Sequence, residues 1–242
     1  HTPSDLNDEI ETVTDNPGLV DMDWKQLTIE SNLALGDGQL TNIFGWRKMN
    51  SVGVSDIDGS ALKLFDADFL TDQEQFSNEL RYSGRFDDML DVTVGLFYFT
   101  QDIDYFERRQ IIGGAIDISG GGRQDQTTKA IFGSFDLDLS DEFTLITGLR
   151  YTEEDKSVEI ATIRPGGCDN TTLECTANFF SESEWSNLIP KLGFRWQKNE
   201  DTQIYGFWTK GFRSGGYNLR NTSPAASPGP FDEEVNSVFE VG

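Results

Sequence analysis

Histidine is nearly missing: the 242 residues contain one, His1, so acid–base chemistry and metal ligation through imidazole have almost nothing to draw on. Basic residues are also scarce, 19 against 42 acidic, and the resulting net charge of −23 excludes a nucleic-acid partner, which would need clustered Lys and Arg. No uninterrupted apolar run approaches the 18 or so residues of a membrane-spanning helix. No basic, apolar and small-residue succession opens the chain as a leader would, and it starts with His rather than Met. We expect an internal piece of a longer polypeptide. Aromatic residues, by contrast, reach 12%, with 18 Phe and 5 Trp, and 24 Gly punctuate the chain. An acidic disordered tail would lack those aromatics, so they call for a surface buried in protein or lipid.

Period-two alternation recurs and helical periodicity is scarce. It predicts strands near 22–34, 39–54, 74–84, 90–108, 124–139, 143–159, 183–197 and 202–215, with another opening near 233. Short turns fall at Gly36-Asp37-Gly38, Arg85–Asp88, Ser140-Asp141-Glu142 and Lys198–Asp201. Between them lie long polar segments near 55–73, 109–123, 160–182 and 216–232, and residues 1–21 form an irregular lead-in. In an antiparallel meander every second connection lies at the same end, so all the short turns belong together and all the long segments opposite. That is the asymmetry of an outer-membrane β-barrel, which also escapes helix detection because its lipid-facing and lumen-facing residues alternate.

Phe143, Leu145, Thr147, Leu149 and Tyr151 share one face of their strand, against Thr144, Ile146, Gly148, Arg150 and Thr152. Ile131, Gly133, Phe135, Leu137 and Leu139 alternate with Ala130, Phe132, Ser134, Asp136 and Asp138, and Phe76, Leu80 and Tyr82 with Ser77, Glu79 and Arg81. An Arg or Lys facing lipid at mid-membrane costs roughly 2–4 kcal/mol, so Glu79, Arg81, Asp136 and Arg150 are assigned to the lumen, together with Lys191 and Lys210. The 202–215 strand is ambiguous, since Tyr205 and Phe207 lie on one face and Ile204 and Trp208 on the other. Pro190 cannot donate a ladder hydrogen bond and predicts a bulge or a gap.

Several stretches resemble the TonB-dependent outer-membrane receptors. They are Gln75-Phe-Ser-Asn-Glu-Leu-Arg81, Val94-Gly-Leu-Phe-Tyr-Phe99, and the hairpin from Phe132 through Gly148-Leu-Arg-Tyr-Thr152 to Glu154. Trp185-Ser-Asn-Leu-Ile-Pro-Lys-Leu-Gly193, Lys210-Gly-Phe-Arg-Ser-Gly-Gly-Tyr-Asn218 and Glu234-Val-Asn-Ser-Val-Phe-Glu-Val-Gly242 follow in the family's order. The similarity covers residues 74–242, with the first seventy fitting less specifically. It implies an all-β fold: an antiparallel up-and-down meander of about nine strands, forming part of a transmembrane barrel of about 22 strands. Residues 1–242 would be a partial barrel domain without the plug and the TonB-contacting segment. The implied protein is a bacterial outer-membrane transporter, not an enzyme and without a cofactor. It would take up a scarce nutrient such as a ferric siderophore, with energy supplied by the TonB complex through the plug. A passive porin and a secreted adhesive β-protein are the rival readings.

Cys168 and Cys175, in a polar loop, suggest a local disulfide made in an oxidising compartment, with two free thiols as the alternative. Tyr105, Phe106, Phe179, Phe180, Arg213 and Tyr217 are candidate substrate contacts, against ordinary loop packing or an interfacial belt. Lys210, Arg213 and Gly215-Gly216 could touch substrate or plug, or simply line the lumen at a strand end. Asp56-Ile-Asp-Gly59 resembles part of a calcium loop but lacks the EF-hand spacing and closing Glu, which favours a polar turn. Gly120-Gly-Gly-Arg123 could form an anion-binding nest, though no strand–helix pattern accompanies it. Among 42 acids chance pairs are expected, so no glycosidase pair stands out. No Gly-x-Ser-x-Gly elbow occurs.

Overall fold

The computed structural model describes residues 14–222 and 226–242. Nine antiparallel strands form one sheet in the order β1 to β9: β1 Leu19–Leu35, β2 Gly38–Asp56, β3 Phe65–Phe86, β4 Leu90–Ile111, β5 Ile116–Asp138, β6 Phe143–Arg164, β7 Phe179–Asn199, β8 Thr202–Arg213 and β9 Glu234–Val241. Every strand pairs with its neighbours in sequence, so the short turns after β1, β3, β5 and β7 share one end and the longer connections the other. Of the expected lead-in, residues 1–13 lie outside the described residues, and β1 begins at Leu19.

Two long polar segments turn out to be mostly strand. Residues 65–73 belong to β3, and 109–111 and 116–123 to β4 and β5, leaving only 57–64 and 112–115 as connections. The tight turn at 112–115 places Ile112, Gly113 and Gly114 at positive φ. The Gly120–Arg123 nest is therefore not formed. These residues are ladder residues of β5, with a register shift between Ser119 and Gly121 where β5 meets β6. Gly121 has φ +152°, and a Cβ there would stand 2.0 Å from the Tyr105 carbonyl oxygen, so close strand approach dictates glycine. At the opposite end, Asp87 and Asp88 carry the β3–β4 turn at positive φ, which Asp tolerates better than most residues. Arg85 staples that end, donating to Asp91 (2.5 Å), Asp138 (2.7 Å) and the Asp88 carbonyl.

Cross-strand partners share a face, so the register sorts every side chain. Glu79, Phe97, Ala130 and Thr152 are in line on one face, as are Arg81, Gly95, Phe132, Arg150 and Ile189. On the other face Leu80, Leu96, Ile131, Tyr151 and Leu188 are in line, each paired with the next. In a single-layered sheet such a difference in crowding reflects curvature. Thr128, Ala130, Thr144, Thr152 and Trp185 are buried on the first face, while Leu96, Ile131, Phe135, Leu149, Leu188 and Leu192 are exposed on the second. The polar-rich face is the concave one.

The apolar outer surface is a band beside the short turns, not the full length of the strands. It runs over Phe76–Phe86, Leu90–Tyr98, Ile131–Leu139, Phe143–Tyr151 and Leu188–Trp196, after which outward positions become Glu74, Asp72, Asp102, Asp104, Asp125, Glu153, Asp155, Glu182 and Glu184. About nine residues at 3.3 Å each, tilted near 40°, give a height of roughly 23 Å, the scale of a hydrocarbon layer. Trp46, Phe76, Tyr98 and Tyr151 sit along its upper edge, where Trp46 Nε1 donates to Glu74 (2.8 Å) and the Tyr151 hydroxyl to Glu153 (2.9 Å). Asn42 and Asn78, polar positions inside the band, bond to each other at 3.0 Å. Such mutual satisfaction is what an apolar surrounding requires.

The register also orients β8: Ile204 and Trp208 pair with Trp196 and Leu192 on the outer face, and Tyr205 and Phe207 with Arg195 and Gly193 on the inner. Pro190 marks the end of a ladder. The β7–β8 pairing stops at Lys191↔Thr209, and the Thr209 hydroxyl donates to the Pro190 carbonyl at 3.1 Å.

Candidate functional site

Beyond the apolar band, the end of β8 leaves β7 and residues 214–221 fold back over the inner face. Ser214 donates to Glu154, while Lys156 Nζ donates to Ser214 Oγ (2.9 Å) and the Gly215 carbonyl (2.8 Å) and pairs with Glu154 (2.9 Å). Gly215 must be glycine for this approach, because a Cβ would meet Trp185 Nε1 at 2.5 Å and the Phe231 carbonyl at 2.1 Å. Tyr217 then packs edge-on to Trp185 and near Phe179, with ring centroids 6.2 and 6.3 Å away. Its hydroxyl is shared with Ser181 (3.0 Å) and Ser183 (2.7 Å). Together with Val158 and Ile160 these rings make the one buried apolar cluster among the described residues.

A charged latch ends the docked stretch. Arg220 donates to both oxygens of Glu107 (2.6 and 2.9 Å), which also accepts from Arg109 (2.6 Å) and the Tyr105 hydroxyl (2.6 Å). Glu107 is completely buried. Burial alone would raise its pKa, but the hydrogen bonds from Arg220, Arg109 and Tyr105 outweigh it and hold the carboxyl at about 2. Burial, then the neighbouring Glu107, pushes the Tyr105 phenol up.

Between this docked segment and the wall lies a cleft of about 400 Å³ lined by Thr128, Arg150, Thr152, Glu154, Ile189 and residues 212–214. Arg150 forms its floor, 5.3 and 5.6 Å from the Phe97 and Phe132 rings, with Nε donating to Thr152 at 3.1 Å. Arg213 is exposed at the rim and lies 3.8 Å from Glu234.

Glu79, Arg81, Asp136, Arg150 and Lys191 fall on the concave face, with Arg81 and Glu79 paired at 3.1 Å and Lys191 5.2 Å from the Phe207 ring. Lys210 does not: one residue past Thr209, it pairs with Ser237 on the outer face, near the upper edge of the band. Sequence pattern left the orientation of β8 open, and the register settles it. Of the proposed loop contacts, Tyr105, Phe179 and Tyr217 hold the docked segment, and Phe106 and Phe180 alternate to the outer face, so Arg213 alone of the six reaches the cleft. Lys156, Glu154, Glu107 and Arg220 escaped sequence reasoning. Cys168 and Cys175 are joined by a disulfide in the 165–178 connection. Asp58 is the polar turn expected: its carboxylate takes the amides of Ser60, Leu64 and Phe65.

The model of the TonB dependent receptor-like β-barrel family matches residues 3–242. No curated protein matches the chain. The ferric yersiniabactin uptake receptor FyuA of Yersinia pestis superposes with a TM-score of 0.80 at 15% identity, over 96% of this chain and 35% of that one. For the siderophore receptor PiuA of Acinetobacter baumannii the values are 0.67 and 16%, over 93% of this chain and 37% of that one. For the ferric-catecholate import receptor Fiu of E. coli K12 they are 0.63 and 11%, over 93% and 38%. The chain thus spans little more than a third of the length of these solved structures.

Proposed function

The chain belongs to the TonB-dependent receptor β-barrel family, and from that premise we propose that it forms part of the wall of a bacterial outer-membrane transporter for a small, scarce nutrient such as a ferric siderophore. The apolar band faces lipid, the short turns lie on the periplasmic side and the acidic strand extensions stand outside the cell. Energy reaches the transporter from the TonB complex through a plug region. Glu79, Arg81, Asp136, Arg150 and Lys191 face the passage.

The observation that carries this reading is the cleft beneath the docked connection. It joins a guanidinium lying against two aromatic rings, a second guanidinium at the rim and hydroxyl groups, all on the concave side and at the upper edge of the apolar band. Guanidinium forks and ring faces suit an anionic, ring-bearing chelate. FyuA is a receptor for ferric yersiniabactin uptake, PiuA a siderophore receptor and Fiu a ferric-catecholate import receptor, which supports the choice of substrate class.

The test is uptake of labelled ferric siderophores by cells lacking the gene and by cells complemented with the intact protein or its variants. Deletion and loss of TonB should each abolish uptake of at least one chelate. Arg150→Ala combined with Arg213→Ala should raise the half-saturating concentration about tenfold or more, the scale of one or two lost charge-assisted hydrogen bonds. Uptake that survives loss of TonB would favour a passive porin.

A further inference from the structure

The last cross-strand pair of the β2–β3 ladder sets two carboxylates against each other, Asp56 opposite Asp66. Like charges directly opposite in a sheet repel; pairs such as Asp72 with Asp104 and Asp102 with Asp125 are exposed to solvent, whereas Asp66 is buried. Asp15 supplies a third carboxylate, and one oxygen from each of the three lies within 4.8 Å of the others. Asp15 does not arrive by chance: its backbone N–H donates to the Ser60 carbonyl at 3.1 Å, tying the segment before β1 to the 57–64 connection.

The independent sign of a ligand is an orphaned oxygen. Asp66 is only 4% exposed, yet its Oδ1 has no hydrogen-bond partner, and neither does the buried Oδ2 of Asp56. Across the described residues three buried side-chain polar atoms lack a partner, and two of them are in this cluster. The other oxygens are occupied. Asp56 Oδ1 accepts the Asp58 and Gly59 amides (3.0 and 2.9 Å), and Asp66 Oδ2 pairs with Lys63 at 3.1 Å. One oxygen of each residue is therefore used up, and the other is left without a hydrogen-bond partner.

The geometry points to a divalent-cation site formed by Asp15, Asp56 and Asp66, selective for calcium, which clamps the segment before β1 to the β2–β3 connection. Hard carboxylate oxygens are calcium's ligands. Three carboxylates brought together from separate segments suit calcium's flexible coordination better than the near-ideal octahedron that magnesium demands. Backbone carbonyls and water would complete the coordination. With the long connections outside the cell, the ion is drawn from the surrounding medium, where sites of this kind have dissociation constants of roughly 10⁻⁴–10⁻³ M.

The experiment uses the intact protein in detergent, stripped with chelator, and follows amide hydrogen exchange at residues 14–18 and 57–64. Calcium at about 5 mM, above that range, should slow exchange in both segments, and equimolar magnesium should not. The Asp56→Asn, Asp66→Asn double variant, isosteric and folded by its heat-modifiable gel mobility, should lose the effect. Lys63→Met, which leaves all three carboxylates in place and removes the rival cation, should respond at a severalfold lower calcium concentration. Equal protection by magnesium, persistence in the double variant, or a weaker response in Lys63→Met would each overturn the assignment. The Lys63 variant decides the matter even if the double variant fails to fold.

Discussion

Leu149→Arg and Arg150→Leu exchange the chemistry of adjacent residues on opposite faces of β6, and the account assigns them very different costs. Leu149 is 49% exposed, and its cross-strand neighbours are Gly133 and Pro190, so no large side chain shields it from its surroundings. It stands two residues from Thr147, the middle of the Phe143–Tyr151 band, hence about 5 Å from the midplane once tilt is included. An arginine there should cost about 2–3 kcal/mol, slightly under the midplane maximum, a factor of roughly 30–150 in the folding equilibrium. Arg150→Leu removes contacts to Phe97 and Phe132 and one hydrogen bond to Thr152, but leaves an aliphatic chain among the same rings. Its cost should be about 1 kcal/mol. Urea titrations of the intact protein folded into lipid vesicles measure both. A Leu149→Arg loss equal to or smaller than that of Arg150→Leu would refute the facing and the lipid contact inferred from it.

The Glu107 latch makes a pH prediction. A carboxyl held at about 2 contributes stability that is fully present above its ordinary value near 4.5 and disappears as pH falls through 2. The docked 214–222 stretch should therefore stay protected from hydrogen exchange at pH 4 and open near pH 2, whereas Glu107→Gln should open it at neutral pH. Ile160→Ala, at a fully buried position of the same cluster, should cost about 2–4 kcal/mol in the same urea titration. Cys168→Ser with Cys175→Ser should raise exchange in residues 165–178, where the closed loop contributes about 2–3 kcal/mol to local order, and leave the barrel midpoint unchanged.

The meander was legible because its turns are written in Gly, Asp and Asn and because the apolar band enforces alternation. Phe143–Tyr151 could be sorted by face on sight, since Arg150 against Leu149 leaves one sensible assignment. Strand ends were harder for a physical reason. Above the band the outer face is acidic and the inner face is partly covered by segments distant in sequence, so Phe65–Gln73 and Ile116–Arg123 lack the apolar alternation that lipid enforces and their acidic or glycine-rich sequence reads as loop. Lys210 was misplaced because β8 has large apolar side chains on both faces, and only its pairing with β7 and β9 fixes which face is which. The docked segment was beyond reach: Arg220 and Glu107 are 113 residues apart, and Lys156 is 59 from Gly215. The Glu-Arg-Arg run at 107–109 offered a weak signal, an acid in a strand that wants a partner. The Asp56–Asp66 opposition depends on β3 beginning at Phe65, inside a stretch that reads as loop.

The central claim, a barrel wall with its short turns inside and its long strand ends outside, is tested most directly by labelling single cysteines on living cells. The native pair is already bonded in a disulfide and will not react. Ser60→Cys and Gly114→Cys lie in the longer connections, Asp88→Cys and Glu200→Cys in the short turns. A membrane-impermeant maleimide should label the first two in intact cells and the second two only after the envelope is opened. Labelling of Asp88→Cys or Glu200→Cys in intact cells, with Ser60→Cys and Gly114→Cys protected, would contradict the topology and the function built on it.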